Sequence, residues 1–195
     1  MKTRNAFVET ADADVMLRVK WGSEPAFAEL YRRYYRKLLD FFYGMSRDAQ
    51  LSEDLCHETF LRVWQLRLRY AVTGSFAGYL FTVARNIWLE RWRVVQREWR
   101  WRAAVPVESD AFEALAPTPP PPDELAHRAE IGEHVFMALD ALPEEQRMAF
   151  VLRMIEGLSL EDIARIMQCP VNTVRSRRLL AITRLREALR GLFVL

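Results

Sequence analysis

Ser159 to Arg178 reads SLEDIARIMQCPVNTVRSRR, and its reading decides the fold. Ser159 with Asp162 three residues on forms a capping box, in which each side chain satisfies a backbone N–H at the start of a helix. The helix predicted from Ser159 to Met167 meets a four-residue break, Gln168-Cys169-Pro170-Val171. Asn172 is a suitable N-cap for a second, basic helix, TVRSRRLLAITRLREALR. A short capped helix, a tight turn and a second helix have the proportions of a helix-turn-helix, with Ala164 small where the two would cross. Val174, Ala181, Leu185 and Leu189 give the second helix a buried stripe. Its first turns present Asn172, Thr173, Arg175, Ser176 and Arg178, residue types suited to base edges and phosphates in a major groove. An ordinary basic helix in a bundle is the competing reading; the cap, the turn and the arginines in the first turns favour DNA.

Outward from this stretch, the chain is written for helix. Its 195 residues are 51% hydrophobic with only 7 Gly, enough for one large domain or two small ones. The net charge of +2 hides an asymmetry. Residues 108–146 hold ten acids against one Arg, a balance of −9, whereas 85–102, with six Arg and two Glu, carry +4 and 171–190, with six Arg and one Glu, carry +5. Two basic segments flanking an acidic one suggest two contacts with a polyanion and a middle that avoids it. Cys56 and Cys169 stand far apart, which excludes a disulfide framework and fits a reduced interior. No signal-like run or membrane-length apolar window occurs, so no membrane insertion and a soluble, cytoplasmic protein are expected. Cys56-His57 with His127 and His134 fits no common zinc spacing, and no P-loop, GxSxG or HExxH appears. No metal, no cofactor and no enzymatic activity of its own are therefore expected.

Residues 1–10 read as a loose tail, followed by a helix from Asp12 that stops at Gly22. Ser23 caps a second helix with Pro25 in its first turn. On it Phe27, Leu30, Tyr31, Tyr34, Leu38, Phe41 and Phe42 share one face. A third helix is predicted from near Ser52. Cys56, Phe60, Val63, Trp64 and Arg67 form its buried stripe and rim; Asp54, Glu58, Leu61, Gln65 and Leu68 form a second, mixed stripe. Two leucines among acids suit a docking face for a partner helix, or else Leu61 and Leu68 pack inside the domain. After a loop from Arg67 to Ser75, a long helix runs from Phe76 into RNIWLERWRVVQREWRWR, Arg85 to Arg102. Here arginines can neutralise phosphates and tryptophans can stack on unpaired bases, or simply turn into a core. An acidic Pro-rich linker, 103–123, contains Pro119 to Pro122, and helical text resumes at Glu124. The fold class expected is all-α, two helical domains (1–102 and 124–195) joined by this flexible linker.

The stretch LDALPEEQRMAFVLRMIEGLSLEDIARIMQCPVNTVRSRR resembles region 4 of the sigma-70 family, nearest to its extracytoplasmic-function (group IV) members, with LPEEQR, GLSLEDIA and NTVRSR in order and at the right spacing. LSEDLCHETFLRVW resembles region 2.2, and FAGYLFTVARNIWLERWR resembles regions 2.3 and 2.4. The resemblance covers about Asp12 to Arg190 apart from the linker. It implies a promoter-recognition subunit whose partners are core RNA polymerase (clamp helices and flap) and promoter DNA, with an anti-sigma factor as a candidate third. By resemblance, Asp54, Glu58, Leu61, Arg62 and Gln65 would dock on the clamp helices. The loop from Arg67 to Ser75, through Tyr70 and Ser75, with Arg85, Asn86 and Trp88, would capture a base flipped from the −10 element. Arg91, Arg93 and Arg97 would anchor its backbone. The helix from Asn172, with Thr173, Arg175, Ser176, Arg177 and Arg178, would read the −35 element as duplex.

The chain departs from the family pattern at Glu90, where Asp is usual, and at Leu179, Leu180 and Ile182, which replace polar positions and suit an anti-sigma partner or self-association. Two other readings stand beside this one: a helix-turn-helix regulator without melting activity, and a sigma mimic that sequesters polymerase. An acidic linker beside basic faces is expected to compete with DNA in the free chain. Deletion of residues 108–123 should then raise the free protein's DNA affinity, read by fluorescence anisotropy.

Overall fold

The computed structural model describes residues 11–104, 134–155 and 158–190, with side chains of the fourth helix described as far as Arg93. Helix α1 (Asp12–Lys20) is tied to α2 (Glu24–Ser46) by Asp12, which accepts from Arg33 Nη1 at 2.6 Å and from the Tyr34 hydroxyl at 2.5 Å. Between them Gly22 takes φ +89°, a left-handed conformation that a side chain would strain. Ser23 then caps α2 by accepting from the Ala26 N–H, as its residue type predicts. Leu30, Tyr34, Leu38, Phe41 and Phe42 bury one face of α2.

Helix α3 (Ala49–Gln65) starts one turn earlier than expected. Asp48 is its cap, accepting from the Leu51 N–H at 2.9 Å. Ser52 is fully buried and donates to the Asp48 carbonyl, so Ser-Glu-Asp lies inside the helix. A 3₁₀ turn (Arg67–Arg69) and a loop to Ser75 lead into α4 (Phe76–Ala104), which runs past Arg102 into the first residues assigned to the linker. The rest of that segment, and the helical text from Glu124 to residue 133, lie outside the described residues.

The C-terminal helices are α5 (134–140), α6 (Glu144–Met154), α7 (Leu160–Met167) and α8 (Val171–Ala188). Helix α6 ends at Met154, before the glycine expected to stop it, because Ile155 is already extended. The capping box at Ser159 forms as predicted. Asn172 is not a cap. Pro170 holds that position, with Gln168 in the left-handed region turning the chain, and Asn172 sits within the first turn, accepting from Arg175 at 3.3 Å. Proline at φ −59° suits the entry to a helix without needing a side-chain cap.

The fold is all-helical in two halves, as expected, and the halves pack on one another. Buried residues of α6, α7 and the start of α8, among them Leu152, Ile163, Ile166 and Val174, belong to the same apolar core as α1–α4. A smaller cluster of Ala138, Leu139, Leu142, Ala181 and Leu185 joins α5 to the far half of α8. The approach is close at Gly44, where an added Cβ would meet both Val151 methyls at 3.1 Å. It is closer still at Gly78, where a Cβ would lie 2.8 Å from Asp162 Oδ1.

That Asp162 carboxylate is buried yet fully engaged. Its Oδ2 accepts from the Ser159 hydroxyl at 2.8 Å and from the Ser159 N–H at 3.3 Å; its Oδ1 accepts from Ser75 Oγ at 2.9 Å and Arg165 Nη2 at 2.7 Å. Ser75 Oγ in turn accepts from the Gly78 N–H at 3.0 Å, capping α4. Burial alone pushes the carboxyl's pKa up, but the hydrogen bonds from Ser159 and Ser75 and the nearby Arg165 outweigh it and hold Asp162 below the ordinary aspartate value. A depressed folded pKa contributes stability above the unfolded value, about 3.9, that is lost as pH falls through the folded one. The stability gap between wild type and Asp162→Asn, from urea midpoints, should therefore be largest near neutrality and close below about pH 4. Asp162→Ala should cost about 1–2 kcal/mol by loss of the capping box.

Candidate nucleic-acid interface

Three surfaces carry the chemistry singled out from sequence. On α3, Leu61 is 55% exposed and Leu68, in the 3₁₀ turn beyond it, 64%, so neither packs inside the domain. Asp54, Glu58 and Gln65 are exposed around Leu61. Arg62 bridges Glu58 at 2.9 Å and Glu90 of α4 at 3.0 Å, which gives the glutamate at 90 a local partner. Beside Leu61 lies a groove of about 540 Å³, walled by Phe27, Tyr31, Phe60 and Trp64 with Glu24 and His57 at its rim. Arg67 stacks over Trp64 at 4.5 Å, so the arginine at the rim of the stripe is held by a cation–π contact. An apolar groove with one protruding leucine and flanking acids fits an amphipathic helix carrying basic residues.

The second surface is the loop before α4 and the first half of α4. Ser75, Asn86, Arg91 and Arg93 are exposed, and the Arg97 side chain lies outside the described set. Tyr70 and Trp88 are not exposed. Tyr70 is buried against Phe76 and Tyr79, its hydroxyl without a partner, and its carbonyl accepts from Lys20 at 2.8 Å. Trp88 is 4% exposed; it stacks on Trp92 and donates from Nε1 to Glu144 at 3.0 Å. An aromatic ring closed between helices offers no face to a base in this conformation. Arg85 is half-buried beside Glu144, Glu145 and Cys169, and burial lowers its guanidinium pKa. Burial likewise pushes the Glu144 carboxyl up, against the opposing effects of the Trp88 N–H and Arg147. Loop and helix enclose a hollow of about 220 Å³, lined by Tyr70, Thr73, Gly74, Ser75 and Thr82 and closed by Arg165 of α7.

The third surface is α8. Val174, Ala181 and Leu185 bury one stripe, as the spacing predicts. Arg178 falls on that same stripe, one turn beyond Val174; its stem is half-buried and its Nε buried without a partner. Arg177 is drawn back to an ion pair with Glu145 and a contact with Cys169 Sγ at 3.5 Å. The first turns therefore offer Asn172, Arg175 and Ser176 to solvent, with Thr173 half-buried. Leu179 and Leu180 are 63% and 50% exposed, and Ile182 is half-buried.

Four residues at these surfaces were not singled out from sequence for any binding role: Glu144, Glu145, Asp162 and Arg165. Glu144 and Glu145 fall in the acidic 108–146 span, read as a segment that avoids a polyanion, and Asp162 was read only as half of the capping box.

Comparison with known proteins places this arrangement. Residues 30–98 match the family model described as Sigma-70 region 2, and 135–185 match Sigma-70, region 4. The chain is 35% identical over 183 residues to the RNA polymerase sigma-H factor of Pseudomonas aeruginosa, covering 91% of each protein. It is 32% identical over 186 residues to the ECF RNA polymerase sigma-E factor of Escherichia coli K12, covering 93% of each. With the ECF RNA polymerase sigma factor SigE of Mycolicibacterium smegmatis it shares 36% identity over 154 residues, spanning 57% of that protein's length. Among solved structures, CnrH in complex with the cytosolic domain of CnrY shares the fold, with a TM-score of 0.69 at 20% identity over 92% of this chain and 97% of that one. The sigma factor RpoE of Bartonella quintana, in complex with the anti-sigma factor NepR, aligns with a TM-score of 0.62 at 27% identity over 83% of this chain and 97% of that one.

The burial difference on α8 separates contact from packing. Arg175→Ala should weaken duplex binding across sequences and reduce the slope of log K against log salt by about one, leaving the melting temperature unchanged. Arg178→Ala should instead lower the melting temperature, since its half-buried side chain, with Nε buried, lies on the stripe of Val174 and Ala181. Anisotropy with a labelled duplex and thermal denaturation read the two effects.

Proposed function

Because this chain belongs to the sigma-70 family, among its extracytoplasmic-function members, and is an RNA polymerase sigma factor, we propose that it divides promoter recognition between its two halves. Residues 1–102 dock on the clamp helices of core polymerase through Leu61, Asp54, Glu58, Arg62 and Gln65, and hold the melted −10 strand. Residues 124–195 read the −35 duplex with the first turns of α8 and contact the flap, and 103–123 span the gap. The observation that carries this reading is the α3 face, where Leu61 stands out of the core amid acids beside an aromatic groove. Such a face gains free energy only when a partner covers it.

At the −10 element the loop ending at Ser75, with Arg85, Asn86 and Trp88, binds an unstacked base, while Arg91, Arg93 and Arg97 hold phosphates. Binding energy offered only to unpaired DNA shifts the duplex toward melting without any bond being made or broken, so the protein acts as a stoichiometric initiation factor and not as an enzyme. No described helix is long and apolar enough to cross a membrane. Since two of the similar sigma-factor folds are held in protein complexes, the apolar surface at Leu179 and Leu180 and the α3 groove are the places where an anti-sigma factor would bind.

Purified core polymerase, this chain and a library of promoter fragments should yield specific run-off transcripts, with permanganate-reactive thymines near −10. Leu61→Asp should abolish both by removing the central apolar contact, with core affinity lowered about tenfold or more. Transcripts lost while core binding is unchanged would refute the docking assignment. Duplex binding with no core binding would favour a plain helix-turn-helix regulator.

A further inference from the structure

Trp21 closes helix α1 and stands 82% exposed, although an indole is among the side chains that lose most by facing water. Its backbone N–H caps α1 by donating to the Arg18 carbonyl at 3.1 Å, a bond that any residue except proline makes. The fold at this turn therefore does not call for the ring. Leu17, one turn earlier on the same helix, is exposed as well, and so are Leu68 and Val72 beyond the end of α3. Helix α1 packs on the 3₁₀ turn that carries Leu68, and Lys20 fixes the contact by donating to the Tyr70 carbonyl at 2.8 Å. Two neighbouring elements thus present exposed apolar side chains together.

This patch continues the α3 face. Glu24, the first residue of α2, follows Trp21 after only Gly22 and Ser23 and stands at the rim of the groove beside Leu61. Across the groove Phe27 meets Trp64 edge-on at 5.0 Å. Arg67 lies over Trp64 at 4.5 Å and donates from Nη1 to the Trp64 carbonyl at 2.9 Å. Arg67 also begins the 3₁₀ turn that carries Leu68 and Arg69. Groove and α1–α2 turn are therefore joined twice, through Glu24 and through the Trp64–Arg67 stack. Charge changes sign along the strip: Asp54 and Glu58 are exposed on α3, whereas Arg67 and the exposed Arg69 follow its end, with Glu24 at the rim.

We propose that the docking face of this chain runs on past α3 to the α1–α2 turn, with Trp21 as a second apolar anchor, and that its occupant is an amphipathic helix of core polymerase laid along the strip. The inference rests on the α3 docking assignment above and deepens it by fixing the polarity of the partner. Basic residues lie over Asp54 and Glu58, apolar residues against Leu61 and Trp21, and an acidic turn over Arg67 and Arg69. Eleven residue steps separate Asp54 from Gln65, about 16 Å along α3. A partner helix that covers this stripe and continues past Gln65 meets the 3₁₀ turn and the α1–α2 turn.

Aliphatic side chains decide the class of partner. A nucleic-acid strand can use Trp21 and Arg69, by stacking and by phosphate contact, but leaves Leu17, Leu68 and Val72 uncovered. A helix face covers all of them. Binding energy at such interfaces concentrates in a few anchors, tryptophan among the most enriched, ringed by polar groups that exclude water. The ring of polar groups is in place: Lys20 is held on the Tyr70 carbonyl and Arg67 on Trp64. Cations already fixed in position lose little side-chain freedom when a partner's carboxylates meet them.

Competition with a fluorescein-labelled wild-type chain for purified core polymerase tests the proposal. Trp21→Ser should leave the melting temperature of the full chain unchanged and weaken core binding about tenfold, with Trp21→Phe restoring most of the loss. Arg69→Glu should weaken core binding about fivefold at low salt, and that loss should shrink at about 0.5 M salt while the Trp21→Ser loss persists. Core affinity of Trp21→Ser within about twofold of wild type, with Leu61→Asp defective, would overturn the proposal and leave the α3 assignment standing. The same result with run-off transcripts lost would give the indole to DNA instead. Arg69→Glu binding core as tightly as wild type at low salt would overturn the polarity. If Leu61→Asp binds core as wild type does, the α3 assignment falls and the proposal with it.

Discussion

The carboxylate of Asp162 sits between two helix starts and serves both. It completes the capping box of α7 through Ser159, and through Ser75 it reaches the hydroxyl that caps α4. Each helix start leaves N–H groups unsatisfied and a positive end to its dipole, so one buried anion shared between two starts is compensated without a dedicated cation. Arg165 adds one at 2.7 Å. The geometry depends on Gly78, since a side chain there would displace the oxygen that accepts from Ser75. Around this point α7 lies on α4, and the apolar residues of α6 and α7 close onto the N-terminal bundle as one core.

The same charge logic organises the rest of the interface. Helix starts rich in acid are favourable in their own right, which is why Glu144 and Glu145 open α6 and Glu161 and Asp162 open α7. Glu144 also accepts from the Trp88 N–H, so an acid suited to a helix start doubles as the partner of an indole on α4. The α3 groove and the first turns of α8, with Asn172, Arg175 and Ser176 exposed, lie clear of this contact.

Local chemistry was legible wherever one helix start or one periodic stripe settled it. Ser23 and Ser159 cap where their types and spacing say they should, and Val174, Ala181 and Leu185 bury the stripe that their spacing draws. Errors arose where two local signals competed. Helix α3 starts at Ala49 behind an Asp48 cap and not near Ser52, and Pro170 displaces Asn172 from the cap position of α8, because the turn before each helix sets which residue meets the free N–H groups. Arg178 shows the remaining ambiguity: its place on the buried stripe was visible, but a long aliphatic stem allows an arginine to serve either packing or contact.

Sequence by itself determined the all-helical class, the helix-turn-helix, the basic and acidic segments and the family, since these rest on periodicity, caps and motif spacing within contiguous stretches. Tertiary structure alone decided which groups are available. It turned Leu61 and Leu68 outward, closed Tyr70 and Trp88 between helices, and set Glu144, Asp162 and Arg165 against a loop and helix 56 to 92 positions earlier in the chain. No spacing rule links residues so far apart. Only the packing of one helical half on the other brings an acid chosen to start a helix onto the indole N–H of Trp88.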